Sequence, residues 1–138
     1  MDAGPIIAQA SYAVQENDDV NSLSEILAEK GAALLVELLA GGKPALTEQN
    51  EALATYTTKL KKEDGLIHLE KSAREIKNLV RAVANWPVAY TFYRGHKVQV
   101  TAVECRNQEF YLEYGVVQGI SADGIDVTTG CGLLDRLL

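Results

Sequence analysis

The side chains best equipped for chemistry in this chain are cationic. Lys59, Lys61 and Lys62 stand close together, and Arg74, Lys77 and Arg81 recur at spacings of three and four residues, which places them on one face if the segment is helical. Ammonium and guanidinium groups arranged this way hold phosphate, positioning an RNA without reading its sequence. Each such contact adds a log–log salt slope of roughly −0.7 to −0.9 to binding. A solvated charged face is the ordinary alternative for the same residues. The charge distribution leaves phosphate binding open. Nine of the 13 basic residues lie between Lys59 and Lys97 with only four acids, an excess of five positive charges, whereas the whole chain carries a net −6. Screening limits each charge to about 8–10 Å, so a basic segment on an acidic chain still attracts phosphate.

Other reactive side chains are scattered. His68 and His96 are isolated and read as surface residues. Cys105 and Cys131 form no CxxC and have no histidine at ligand spacing, which predicts free thiols, no metal site and a reducing cytoplasm. Tyr90, Phe92, Tyr93, Phe110, Tyr111 and Tyr114 could stack on bases. Strand alternation turns about half of them inward, so core packing is the expectation for each. Trp86 reads as a packing anchor, and Gly124 and Gly130 as turn glycines.

Several elements must position these groups. Residues 5–14 are mostly apolar and predict a strand. Ser22 with Glu25 forms a capping box opening a helix over 22–40, whose Leu23, Ile26, Leu27, Leu34, Leu35 and Leu38 build one apolar face, with Gly41-Gly42 as its stop. Residues 43–71 are polar and read as a surface connector. A second capping box, Ser72 and Glu75, opens a helix to about residue 84 with Ile76, Leu79, Val80 and Val83 inward; Trp86-Pro87 ends it. From Val88 the period becomes strand-like. Tyr90–Tyr93, a turn at Arg94-Gly95 and Val98–Val103 make a hairpin, followed by strands at 109–118, 124–129 and 132–138. Five short strands predict a small antiparallel OB-like β-barrel, although a half-sandwich would give the same pattern.

At 138 residues, 47% hydrophobic and 23% charged, the chain is a globular domain or a small domain with part of another. No apolar run approaches the roughly 20 residues that cross a membrane, and the N-terminus lacks a basic secretory region.

Four segments, in order, resemble methionyl-tRNA formyltransferase. Met1-Asp-Ala-Gly-Pro-Ile-Ile-Ala-Gln9 is similar to the family's DTGPIL stretch late in its catalytic domain. Ala54–Leu60 with Lys62–Ile67 resembles ATYAPKL and KEDG.IDW. Ile76–Ala82 with Trp86–Thr91 resembles IHNLVRAFNPWPGAYT, and Gly124–Gly130 with Gly132–Leu134 resembles GI.VATGDG.L. The match spans nearly the whole chain. It departs at Ile67-His68-Leu69, where the family has Ile-Asp-Trp, and at Ala84-Asn85, where it has Asn-Pro.

The resemblance implies an α+β chain: the tail of an α/β Rossmann-like domain (strand plus helix, residues 1–42), a linker with one helix (43–87), then an OB-like domain (88–138), its last strand truncated. It implies formyl transfer from 10-formyltetrahydrofolate to the amine of Met-tRNA in translation initiation, in the cytoplasm, with initiator tRNA as partner. The catalytic aspartate falls on Asp2. The Asn and His that would work with it are absent, since the sequence contains no Asn-x-His. This predicts a fragment or a mis-started reading frame that binds tRNA through Lys59, Lys61, Lys62, Arg74, Lys77 and Arg81, holds no cofactor and does not catalyse alone. Two alternatives stay open: a fragment of a sugar-nucleotide amine formyltransferase, and a non-catalytic binding module or half of a split enzyme. The apolar face over 22–40 would then favour self-association or a complementary catalytic chain.

Overall fold

A computed structural model describes residues 3–41, 44–106, 113–122, 124–130 and 133–135. The chain divides into two compact units, Met1–Lys59 and Leu60–Leu138.

The first unit is built around one helix, α1 (Val20–Gly41). It starts one turn-half earlier than Ser22 suggested. Asp19 is the capping side chain: its carboxylate accepts the backbone N–H groups of Asn21 and Ser22 at 2.8 and 2.9 Å, satisfying two donors that the first turn leaves without partners. Ser22 instead sits inside the first turn, its hydroxyl 3.2 Å from Asp18. The expected strand over 5–14 does not form. Those residues carry no regular element, and only Ile6 pairs, in an isolated antiparallel bridge with Thr47. Apolar content made the segment look like a strand, but a strand also needs a neighbour along its length. The polar connector carries short 3-10 turns at Glu51–Leu53 and Lys62–Gly65.

The second unit holds the core. Helix α2 (Ala73–Ala82) begins at the expected capping box: Ser72 Oγ accepts the Glu75 N–H at 3.3 Å while the Glu75 carboxylate accepts the Ser72 N–H at 3.0 Å. The helix buries Ala73, Ile76 and Val80, which pack with Ile67, Val83, Ala89, Val100 and Val103. Removing each such side chain from water contributes about 1.5–3 kcal/mol for the larger aliphatics, so this cluster is where the unit's stability resides.

Strands β1 (Tyr90–Tyr93) and β2 (His96–Gln99) form a hairpin at the expected turn, with Tyr93 opposite His96, but β2 starts two residues before the expected Val98 and ends at Gln99, short of Val103. Arg94 and Gly95 both take positive φ, 50° and 83°, the two-residue turn whose twist matches that of the flanking strands. Strands β3 (Glu104–Arg106), β4 (Val117–Ser121), β5 (Gly124–Thr128) and β6 (Leu133–Asp135) make a second antiparallel sheet in the order β3-β6-β5-β4. Among the described residues the two sheets are not joined into a closed barrel. The strand expected over 109–118 lies partly outside the described residues. Its described part turns at Tyr114-Gly115 before β4 starts at Val117.

Two backbone approaches tie the linker to the strands. Gly130 donates its N–H to the carbonyls of Leu69 and Lys71, each at 3.0 Å, and a Cβ there would lie 1.8 Å from the Glu70 carbonyl oxygen. Gly130 is therefore required by close approach rather than by a turn alone. A Cβ on Gly65 would come within 2.6 Å of the Val88 carbonyl oxygen. Thr128, fully buried, donates its hydroxyl to the Glu113 carbonyl at 2.7 Å and accepts the Val116 N–H at 2.9 Å, which pins the turn that leads into β4. Val88 sits at φ 65°, a left-handed conformation costing an L-residue roughly 1–2 kcal/mol; the motif quoted above has glycine at this position.

Candidate nucleic-acid interface

The capping box of α2 fixes where the helix starts, and burial of its apolar side chains separates its two faces. With Ala73, Ile76 and Val80 buried, Arg74, Lys77, Asn78 and Arg81 lie on the opposite stripe at i, i+3, i+4 and i+7. Arg74 and Asn78 are exposed; Lys77 and Arg81 are half-buried. The Arg81 guanidinium donates through Nε to Asn78 Oδ1 at 3.0 Å, and Arg74, Lys77 and Arg81 are all engaged with other groups of the protein. The Asn78 contact restricts the Arg81 guanidinium, which lowers the side-chain entropy it would lose on meeting a phosphate.

Lys61 and Lys62 are exposed at the start of the turn Lys62–Gly65, where the Lys61 N–H is accepted by the Asp64 carboxylate at 2.7 Å. Lys59, exposed, is the last residue of the first unit. Asp2 lies outside the described residues, as do Phe110, Tyr111 and Cys131.

Sequence spacing did not show where the acids of the basic window go. Glu63, Asp64 and Glu75 line one hollow of about 250 Å³, together with His68 and Lys71. His68 Nδ1 lies 3.0 Å from Glu70 Oε1, and Glu70 is held below the usual carboxylate range, first by its own backbone N–H and then by His68 and Lys71. Hydrogen bonds from Ser72 hold the Glu75 carboxyl below its ordinary value. No three-residue group able to hold a metal occurs among the described residues, and no described helix is long and apolar enough to cross a membrane.

The hairpin overturns the packing expectation for its aromatic residues. Phe92 is 57% exposed and Tyr93 51%; Tyr114 is likewise exposed, and Tyr90 is half-buried. Lys97 Nζ stands 3.8 Å from the Tyr90 ring centre, and the Arg94 guanidinium 5.3 Å from that of Tyr93. Trp86, half-exposed at 49%, is no buried anchor; its neighbours Val83 and Ala89 carry the packing instead. The signal that could have marked the hairpin is an absence: from Ile76 to Val103 the sequence has Lys77, Arg81, Arg94 and Lys97 and not one carboxylate.

Helix α2 and the small antiparallel sheets, tied through the linker by close backbone approaches at Gly65 and Gly130, match one family of domains. That family, described as "Formyl transferase, C-terminal domain", matches residues 59–135, nearly coincident with the second compact unit, and the chain belongs to it. The chain is similar to the methionyl-tRNA formyltransferase of Pelobacter propionicus, 41% identical over 72% of this chain and 32% of that protein. It is also similar to that of Chloroflexus aggregans, 39% identical over 98% and 45%, and to that of Coxiella burnetii, 33% identical over 97% and 44%. It thus spans under half the length of these curated relatives. Among solved structures, a sugar 3N-formyl transferase, WlaRD, shares the fold with a TM-score of 0.72 at 16% identity over 100% of this chain and 51% of its own. A HypX variant from Aquifex aeolicus does so with 0.68 at 19% identity, over 96% and 25%.

Proposed function

We propose that the chain is the C-terminal portion of a methionyl-tRNA formyltransferase and that its own contribution is to hold tRNA. The full reaction passes a formyl group from 10-formyltetrahydrofolate to the amine of Met-tRNA in translation initiation, in the cytoplasm. The observation that carries this reading is the likeness to the Chloroflexus aggregans enzyme over 98% of the chain. The physical support is the cationic stripe of α2. In this reading residues 1–42 are the end of the catalytic domain, 43–87 the linker and 88–138 an OB-like domain. Lys59, Lys61, Lys62, Arg74, Lys77 and Arg81 meet phosphates, and Asp2 is the family's catalytic aspartate. Acyl transfer needs stabilisation of an oxyanion and a placed proton acceptor. One carboxylate without an imidazole and an amide supplies neither, so the chain alone does not turn over formyl donor.

Titration of initiator tRNA at two salt concentrations tests the reading. Engagement of four or five phosphates gives a log–log slope of about −3 to −4, and Arg74→Gln with Arg81→Gln makes the slope shallower. A salt-independent null result removes it. The second reading, a sugar-nucleotide amine formyltransferase, is favoured by the fold shared with WlaRD and expects no tRNA binding.

A further inference from the structure

We propose that the β1–β2 hairpin is a separate stacking site for an unpaired nucleobase of RNA, with Phe92 as the platform and Lys97 as the phosphate contact. The inference rests on the RNA-binding reading above but concerns a different element from the α2 stripe.

Strand alternation and register put Tyr90, Phe92 and Lys97 on one side of the hairpin, since Phe92 pairs directly with Lys97 and Tyr90 is two residues before it. The contacts agree. Tyr90 meets Phe92 edge-on, centroids 5.8 Å apart and planes at 86°, and Lys97 Nζ lies over the Tyr90 ring at 3.8 Å. Tyr90 thus braces the Phe92 ring from the side, while more than half of Phe92 stays open to solvent. At the turn, Arg94 over Tyr93 repeats the pairing of a cation with an exposed ring.

An apolar ring left in water costs free energy. Its exposure beside two cations calls for a partner that is flat, polarisable and anionic. An unpaired nucleotide meets all three conditions: its base has a π-face for Phe92 and its phosphate a charge for Lys97 or Arg94. The hairpin lies in the acid-free run from Ile76 to Val103, so an anionic partner meets no carboxylate from that stretch of chain. Among the described residues no carboxylate forms an ion pair with Arg94 or Lys97. A paired duplex fits poorly, since its bases are already stacked on one another.

The test uses the full chain and two fluorescent RNA probes matched in phosphate number, a single strand and a blunt two-stranded duplex without a loop. Binding is followed by anisotropy, with initiator tRNA alongside. The single strand is expected to bind more tightly than the duplex. Phe92→Ala and Phe92→Leu should each weaken single-strand binding by about 5- to 100-fold while leaving duplex binding unchanged. Phe92→Trp should retain it, and Lys97→Gln should lower the salt slope by about one contact. Phe92→Leu keeps the apolar bulk, and circular dichroism confirms that each variant folds. Phe92 variants that bind both probes like the parent overturn the hairpin site. If tRNA still binds through Arg74 and Arg81 in that case, the RNA-holding reading survives without it. Absence of binding to every RNA overturns both.

Discussion

The two units of this chain use apolar residues in opposite ways. Beyond Lys59, Ile67, Ile76, Val80, Val83, Val100 and Val127 are all less than 5% exposed, drawn from a linker segment, helix α2 with its C-cap, the residue after β2, and β5. Before Lys59, helix α1 has no buried residue, and Leu27, Leu35, Val36 and Leu39 stand in solvent although the helix is long and well capped. The only buried side chain described there is Asp18, which accepts the Gln15 N–H at 2.6 Å and sits beside Tyr12. Tyr12 has its hydroxyl pushed up, first by desolvation and then by Asp18. A capped helix and a tertiary core are thus separable achievements. The first unit is organised by local hydrogen bonds, the second by convergence of apolar side chains from distant positions.

The largest expected effect is on the core itself. Ile76→Ala, at a site 1% exposed, should cost about 2–5 kcal/mol, read as a lowered urea midpoint; a loss under about 1 kcal/mol would mean that the second unit does not depend on this cluster. Gly130→Ala comes next. Its Cβ meets a backbone carbonyl that cannot swing aside, so about 1–3 kcal/mol should be lost, whereas Gly95→Ala, with open space around it, pays only the backbone cost of its positive φ.

Capping gives a smaller effect of about 1 kcal/mol for Ser72→Ala. Asp19 and Glu75 both have lowered pKa, Asp19 chiefly through the Ser22 N–H and Glu75 chiefly through the Ser72 hydroxyl. Because the folded values lie below the unfolded ones, this stabilisation is complete above the ordinary carboxylate range near pH 4. It is lost as pH falls through the lower folded values. Thermal melts between pH 2 and 6 should show that loss, and Ser72→Ala should flatten it. The smallest effect is expected at Leu39→Gln, 78% exposed, within about 0.5 kcal/mol; a large loss would show that α1 packs in solution after all.

Much of the candidate site was legible because its signals are local. The Ser72 and Glu75 box, the 74/77/81 stripe and the Arg94-Gly95 turn each depend on residues within one or two turns of each other, and all three occur as read. The failures share a different cause. Residues 5–14 have strand composition without a strand partner, and the barrel expected from five strand signals is two sheets in the described residues. Phe92 and Tyr93 face water where alternation alone left their side undecided.

By itself, then, the order of residues determined the helices, the hairpin, the basic stripe and the family, because capping, helical spacing and turn chemistry act over a few bonds. Only the tertiary structure decided that Gly130 lies against Glu70, that the acids collect in one hollow and that the hairpin aromatics remain open. Those outcomes turn on which distant segments meet, and meeting is governed by the summed packing of the whole unit rather than by any one stretch of it.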